Sequence, residues 1–355
     1  MEKKLNIDDL RWKTSDEEYH NLQVICYSAL SKYLREGFNA IQTLWDKVES
    51  PSLTIGSAID TLVTEPEQFK ALFYNMNSDI DTSSKTAAFI NHIVEVIEQD
   101  EPIQDVTFEQ AISKVNIKTL ANEVSFYSNL KEETIIKKLY EDINIETYYN
   151  DVKKAEGRKM LTLEQQEIIN NSIAALHNNP LSQKLLFEQP PEGVERFFQV
   201  KFLVELDGIT FKVMFDMLLV DNPNKTIYIY DLKSTSKKVW EFPQSFVQFN
   251  YQIQDRLYYR VLEKILEDNG FSDYRISNMK NIVVSTTYPD VLLFEFEDTS
   301  IEGDLSYKKG ELIMRDPINV AKELNTNLNK QYPSYIENSS YNKLIFILTE
   351  GYEKN

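Results

Sequence analysis

The chain is short of the residues that build closed metal cages and covalent staples. It has one cysteine, Cys26, and three histidines among 355 residues. One thiol excludes an internal disulfide and any four-cysteine cluster within a single chain. Three histidines leave little for a finger-type zinc site. No apolar run approaches the ~20 residues of a membrane span, and the opening MEKKLNIDDLRWK has no hydrophobic core of a secretory leader. The expected location is therefore the cytoplasm, with no membrane as partner. Positive charge is also scarce, since 38 Lys and Arg face 56 Asp and Glu for a net charge of -18. Such a surface resists non-specific adhesion to nucleic acid as a whole. It leaves room for a local basic track, because a field is set by where charges sit. Lys233, Lys237 and Lys238, followed by Trp240, form the clearest such cluster; a solvated loop after a strand is the alternative.

What the chain does have is 42% hydrophobic and 26% charged residues, the balance of a globular protein long enough for one large domain or two. Residues 1–20 read as an extended polar lead-in. Leu22 to Lys47 reads as two short helices parted near Gly37, with apolar residues at helical spacing. Ser52 or Thr54 can cap the next helix, which runs to Glu65-Pro66. On it Gly56 lies one turn before Asp60, leaving a bare notch beside a carboxylate; an Asp on the wet side of an amphipathic helix is the alternative. Residues 76–190 read as mostly helical, an insertion or arm, with Thr162-Leu163-Glu164-Gln165 as a capping start.

A β region begins near Glu192. Asp207-Gly208 is a tight-hairpin signal between Glu195–Glu205 and Ile209–Val220. A second turn, Asp221-Asn222-Pro223-Asn224, folds the strand ending at Lys233 back on its neighbour, so three antiparallel strands are expected. If this turn centres near Pro223, Asp216 lies opposite Tyr230 or Asp231. Asp231 and Lys233 share a face by the period of two. Pairing across the first turn sets Asp216 near Gln199, with Glu195 as a third acid on the same face. Two carboxylates and a lysine gathered at one spot repel or strain unless a cation or proton is shared. A divalent ion on oxygen ligands would activate water and stabilise charge on a phosphate, which is metal-dependent phosphodiester hydrolysis. A surface hairpin with solvated charges is the bland alternative. After it, Pro243–Leu266 reads as a helix carrying Gln254 and Tyr258 at i, i+4, where they could hydrogen-bond a phosphate or a DNA end; a buried tyrosine with an amide partner is the alternative. Asn281–Thr287 and Val291–Phe296 read as strands joined at Pro289, Ile301–Leu328 as a closing helix, and Leu344–Leu348 as a short apolar tail segment.

In order, Gly56-Ser57-x-x-Asp60 with Glu65-Pro66, then Asp216, Asp231-x-Lys233 and Gln254-x-x-x-Tyr258 resemble the PD-(D/E)XK nuclease superfamily, and within it the RecE and phage-exonuclease branch related to the RecB nuclease domain. The likeness covers about residues 19–75 and 160–310. It implies an α/β fold, a central mixed sheet flanked by helices, with core portions in residues 1–75 and 191–355 and a helical insertion at 76–190. It implies a Mg²⁺-dependent (or Mn²⁺-dependent) DNA exonuclease of phage or bacterial recombination that works from duplex ends. Asp216, Asp231 and the Leu232 carbonyl would hold metal, with Asp60 standing where relatives often have histidine and Glu195 as a further candidate. Lys233 would be the catalytic lysine. Gln254 and Tyr258 would hold DNA or order the site, Lys237, Lys238 and Ser57 would touch DNA, and Thr235 would support the site. A ring-forming homo-oligomer and a single-strand annealing partner are implied too. An endonuclease on the same fold, or a DNA-binding or assembly protein without turnover, remains the alternative. Too few cysteines are present for the iron–sulfur branch.

Overall fold

The computed structural model describes residues 4–77, 83–307 and 310–328; the segment Leu344–Leu348 lies outside the described residues. In chain order the elements that position the site are helices α1 (Tyr27–Glu36), α2 (Pro51–Thr64) and α3 (Leu163–Asn178), then strands β1 (Val194–Leu206), β2 (Ile209–Asp221) and β3 (Thr226–Thr235). Helix α4 (Tyr251–Asp268), strands β4 (Lys280–Ser285) and β5 (Val291–Glu295), and helix α5 (Pro317–Leu328) follow. The strands form one sheet in the order β1-β2-β3-β4-β5. The first three pair antiparallel, β4 runs parallel to β3, and β5 returns antiparallel to β4. The expected meander is present, with both turns where Asp207-Gly208 and Asp221 to Asn224 place them.

Both faces of this mixed sheet are covered. Phe215, Leu218, Val220, Ile227 and Ile229 pack against α1, α4 and α5. Met217, Tyr230, Ile282 and Val284 pack against α2 and α3. Burial on two faces explains why β2 and β3 are almost continuously apolar, and why a polar residue in either strand stands out. The protein is thus an α/β structure with a mixed central sheet flanked by helices. Among the described residues no helix is long and apolar enough to cross a membrane.

Residues Ser84 to Ala155 form helices around a core of their own, with Phe89, Ile93, Ile112, Leu139 and Tyr149 buried. The chain enters this module through Phe73–Asn75 and leaves through Lys159–Leu161, and these two short strands pair in parallel. Helix α3 lies outside the module. Its Ile169, Ala175 and Leu176 join the core beneath the sheet, so the helical stretch is divided between two cores. Its start is a full capping box between Thr162 and Gln165.

Four local expectations change. The lead-in is folded: Leu5 and Ile7 are fully buried, a short turn spans Ile7–Asp9 and a helix spans Asp16–Asn21. Apolar residues spaced two apart gave no helical period there, yet they fill a gap beside the sheet. Helix α2 is capped by Ser50, whose side chain accepts from the Leu53 amide, rather than by Ser52 or Thr54. The helix expected over Pro243–Leu266 is two, Phe242–Gln248 and α4, parted at Asn250 with φ 55°. Asparagine tolerates that left-handed backbone, and the freed Phe249 carbonyl accepts from Tyr27 and Ser31 hydroxyls at 2.8 and 2.7 Å. The closing helix is only α5; before it Leu305–Tyr307 and Leu312–Met314 pair as a small antiparallel ladder.

Candidate active site

The site begins with a flaw in the sheet. Phe198 pairs with Met217 and Val200 with Phe215, but the Gln199–Asp216 pair between them is missing although the register is the same on both sides. Gln199 takes φ 48°, a left-handed backbone uncommon for a side chain of this kind. The two strands change faces together here. Phe198 and Met217 pack towards α2 and α3, whereas Val200 and Phe215 pack towards α4. A regular strand would keep Phe198 and Val200 on one side. One polar residue on each strand is therefore held out of the ladder. Gln199 uses its amide to reach α2, where Nε2 donates to Asp60 Oδ2 at 3.0 Å and to Thr64 Oγ1 at 3.2 Å. Asp216 turns the other way along the sheet, and its Oδ2 accepts from the Leu232 amide at 2.8 Å.

Pairing of β2 with β3 ends at Met217 and Tyr230, so Asp216 and Asp231 are the next opposed positions, just where the strands part. Asp231 is 1% exposed and forms a closed ring with two neighbours. Its Oδ2 lies 2.5 Å from Lys233 Nζ, its Oδ1 accepts from Gln254 Nε2 at 2.6 Å, and Lys233 Nζ donates to Gln254 Oε1 at 2.9 Å. The period of two puts Asp231 and Lys233 on the α4 side, and the i, i+4 packing of Ile253 and Leu257 aims Gln254 at them. The Lys233 ammonium also stands 4.6 Å from the Tyr251 ring centre, one helical turn before Gln254. Desolvation works against that ammonium, yet Asp231, with further help from Tyr251, Asp216 and Tyr27, holds its pKa above the ordinary lysine value. It stays charged.

The carboxyls behave oppositely. Burial, then Asp231 and Asp60, push Asp216 well above the usual carboxylate range. Burial and then Asp231 push Asp60 up to about 7, against the lowering bond from Gln199. Helix α2 can bring Asp60 in because it has no side chain at Gly56: a Cβ there would stand 2.9 Å from Ser234 Oγ on β3. Asp60 and Asp216, each pushed up by burial and by the acids beside it, call for a cation or a shared proton next to Asp231. Asp60 Oδ1 is buried and has no hydrogen-bond partner. Oxygen-only donors of this kind suit Mg²⁺ or Mn²⁺. Among the described residues no three acidic, histidine or cysteine side chains form a finished metal-ligand group, so the fit rests on donor chemistry and on the unpartnered oxygen.

Asp60, Asp216, Asp231, Lys233 and Gln254 are thus drawn together, and other candidates are not. Glu195 pairs with Val220, four residues along β1 from the flaw, and its carboxylate binds Lys4 at 3.0 Å. Tyr258 packs in the core with its ring 4.8 Å from that of Phe215, so it supports the floor of the site rather than joining the Asp231–Lys233–Gln254 ring. Ser57, Lys237 and Lys238 are exposed. Thr235 Oγ1 accepts from the Lys237 amide at 3.2 Å. Leu232 is engaged through its amide as described, one residue from both Asp231 and Lys233.

Three residues were not singled out in advance. Tyr251 was legible, since it lies three before Gln254 on the same face. Asp255 is fully buried beside Asn281, whose Nδ2 donates to it at 3.4 Å, and burial followed by Asp231 raises it to about 8. Asn281 is the register partner of Asp231 on β4, which no local pattern announces.

What the fold and this cluster define is an α/β protein with a buried, lysine-bearing acidic site at a break in its sheet. A scan against models of known protein families finds no match for the chain, and a search of curated proteins finds none either.

Proposed function

We propose that the protein is a Mg²⁺- or Mn²⁺-dependent deoxyribonuclease of PD-(D/E)XK type, acting as an exonuclease on duplex DNA ends. The observation that carries this reading is the Asp231–Lys233–Gln254 ring with Asp216 and Asp60 beside it. Asp60, Asp216 and Asp231 would hold the metal, which supplies Lewis-acid charge and a water of lowered pKa. Lys233, held charged and aimed by Gln254 and Tyr251, would lie against the non-bridging oxygens of the scissile phosphate, or steer the attacking water. A fixed ammonium in a partly dried site stabilises developing phosphate charge without reorganising. Gln254 orients both members of the pair at once, and Tyr258 with Phe215 keeps α4 seated on β2. Exposed Lys237 and Lys238 lie a few residues beyond the catalytic strand end and would meet the backbone of the substrate.

Digestion of end-labelled linear duplex with Mg²⁺ tests this reading, with closed circular DNA as the comparison. Wild-type protein is expected to shorten the linear duplex and to spare the circle. Turnover of the circle would move the assignment to an endonuclease, and linear digestion unchanged in Asp231→Ala and Lys233→Ala would reject it. Work from a ring-shaped assembly beside an annealing partner belongs to the same proposal.

A further inference from the structure

The loops beyond β3 and β4 carry two exposed aromatic rings that the chemistry above leaves unused. Trp240 is 58% and Tyr288 44% exposed, and the Lys238 ammonium stands 5.2 Å from the first ring centre and 5.9 Å from the second. The loops are bound to each other. Ser285 Oγ donates to the Lys237 carbonyl at 3.0 Å, Thr287 Oγ1 to the Ser236 carbonyl at 3.0 Å, and the Thr286 amide to the Thr235 carbonyl at 2.8 Å. Val239, next to Trp240, is fully buried against Phe242 and Val283. Two large rings are therefore displayed in water on a braced frame. Asp290, the acid of the second loop, turns its Oδ1 back to the Val291 amide, while Lys237 and Lys238 are exposed in a chain of net charge -18. Lys238 is five residues from Lys233, at most ~18 Å along extended chain.

We propose that Trp240 and Tyr288, with Lys238 between them, form a stacking platform for the bases of unpaired DNA next to the catalytic strand end. The inference rests on the nuclease reading and deepens it, since the ligand is a single strand and not the duplex. Every base has a π-face, so stacking accepts any sequence, and Lys238 can pass from ring to phosphate as a base arrives. Two independent rings and one cation set the grip.

The probe is a short oligothymidylate added to the full chain in EDTA, so that nothing is cut, with a blunt duplex as the comparison. Of the three tryptophans only Trp240 is exposed, so its emission should be quenched by the single strand. Trp240→Leu and Tyr288→Leu are each expected to weaken single-strand binding about 5- to 150-fold. Trp240→Phe should keep most of the affinity, and blunt-duplex cleavage sites should be unchanged. Single-strand affinity equal to wild type in the double Leu variant, with cleavage of duplex intact, overturns the platform and leaves the nuclease reading standing. Absence of all nucleic-acid binding and cleavage in the wild type overturns both. A change confined to the oligomeric state of the Leu variants would reassign the rings to a contact between copies and overturn the platform.

Discussion

Gln199 stands opposite Asp216 on neighbouring strands, yet the sheet skips that one pair while keeping its register on either side. The skip sends Gln199 to Asp60 and Asp216 to the Leu232 amide. A single local flip thus ties helix α2 to the strand that carries the lysine.

The first expectation concerns that tie. The Gln199 amide lowers the Asp60 carboxyl, which still lies near 7 because of burial and Asp231. Gln199→Leu removes the lowering bond, so Asp60 holds its proton to higher pH. If the carboxylate form binds metal, the acid limb of the rate–pH profile moves to higher pH in the variant. An acid limb left in place would separate Asp60 from the activity.

The ring of Asp231, Lys233 and Gln254 makes a second. Lys233→Met should lower digestion at least about a hundredfold, the scale of losing one preorganised charge-stabilising group. It should also destabilise the fold by about 3–5 kcal/mol, because Asp231 is left buried without its ammonium. Pairing Asp231→Asn with Lys233→Met should recover much of the stability and none of the rate. Urea melts and end-labelled digestion measure the two effects separately.

Close approach at Gly56 gives a third. Gly56→Ala adds helix propensity worth up to ~1 kcal/mol, but its Cβ meets Ser234 Oγ at 2.9 Å. Activity should fall as α2 and Asp60 shift outward, and adding Ser234→Ala should restore it. An equal loss in the single and double variants would show that this contact does not set the position of Asp60.

Buried Asp255 supplies the fourth. Its folded carboxyl is raised to about 8 by burial and then Asp231, above an unfolded value of ~3.9. The folded state therefore keeps a proton that the unfolded chain releases. That contribution to stability is whole below pH ~4 and is lost as pH rises towards 8, at about 1.4 kcal/mol per unit in between. Asp255→Asn abolishes this slope, so its stability relative to wild type should grow from pH 5 to pH 8. A constant difference across that range would mean that Asp255 is ionised in the folded protein.

Much of this was written in local pattern. Turn chemistry at Asp207-Gly208 and Asp221 to Asn224 announced the meander, and alternation put Asp231 and Lys233 on one face before any register was known. The i, i+4 apolar stripe of α4 gave the helix that delivers Gln254. The misses share a cause. A period of two carried through Gln199 puts Glu195 with the acids, but the strand flips at Gln199 and the period fails there. Asn250 divided a helix through a backbone conformation that side-chain spacing does not report. Ile301–Leu328 held enough apolar residues for a helix, but Leu305–Tyr307 and Leu312–Met314 pair with each other instead.

The sequence by itself determined the composition of the site, its strands and their turns, because propensity and periodicity act over a few residues. Only the tertiary structure decided which carboxylates share one environment, that Tyr258 is part of the core, and that Asn281 backs Asp231. Those facts depend on contacts between residues tens to hundreds of positions apart, whose energies are settled by packing and desolvation once the whole sheet is built.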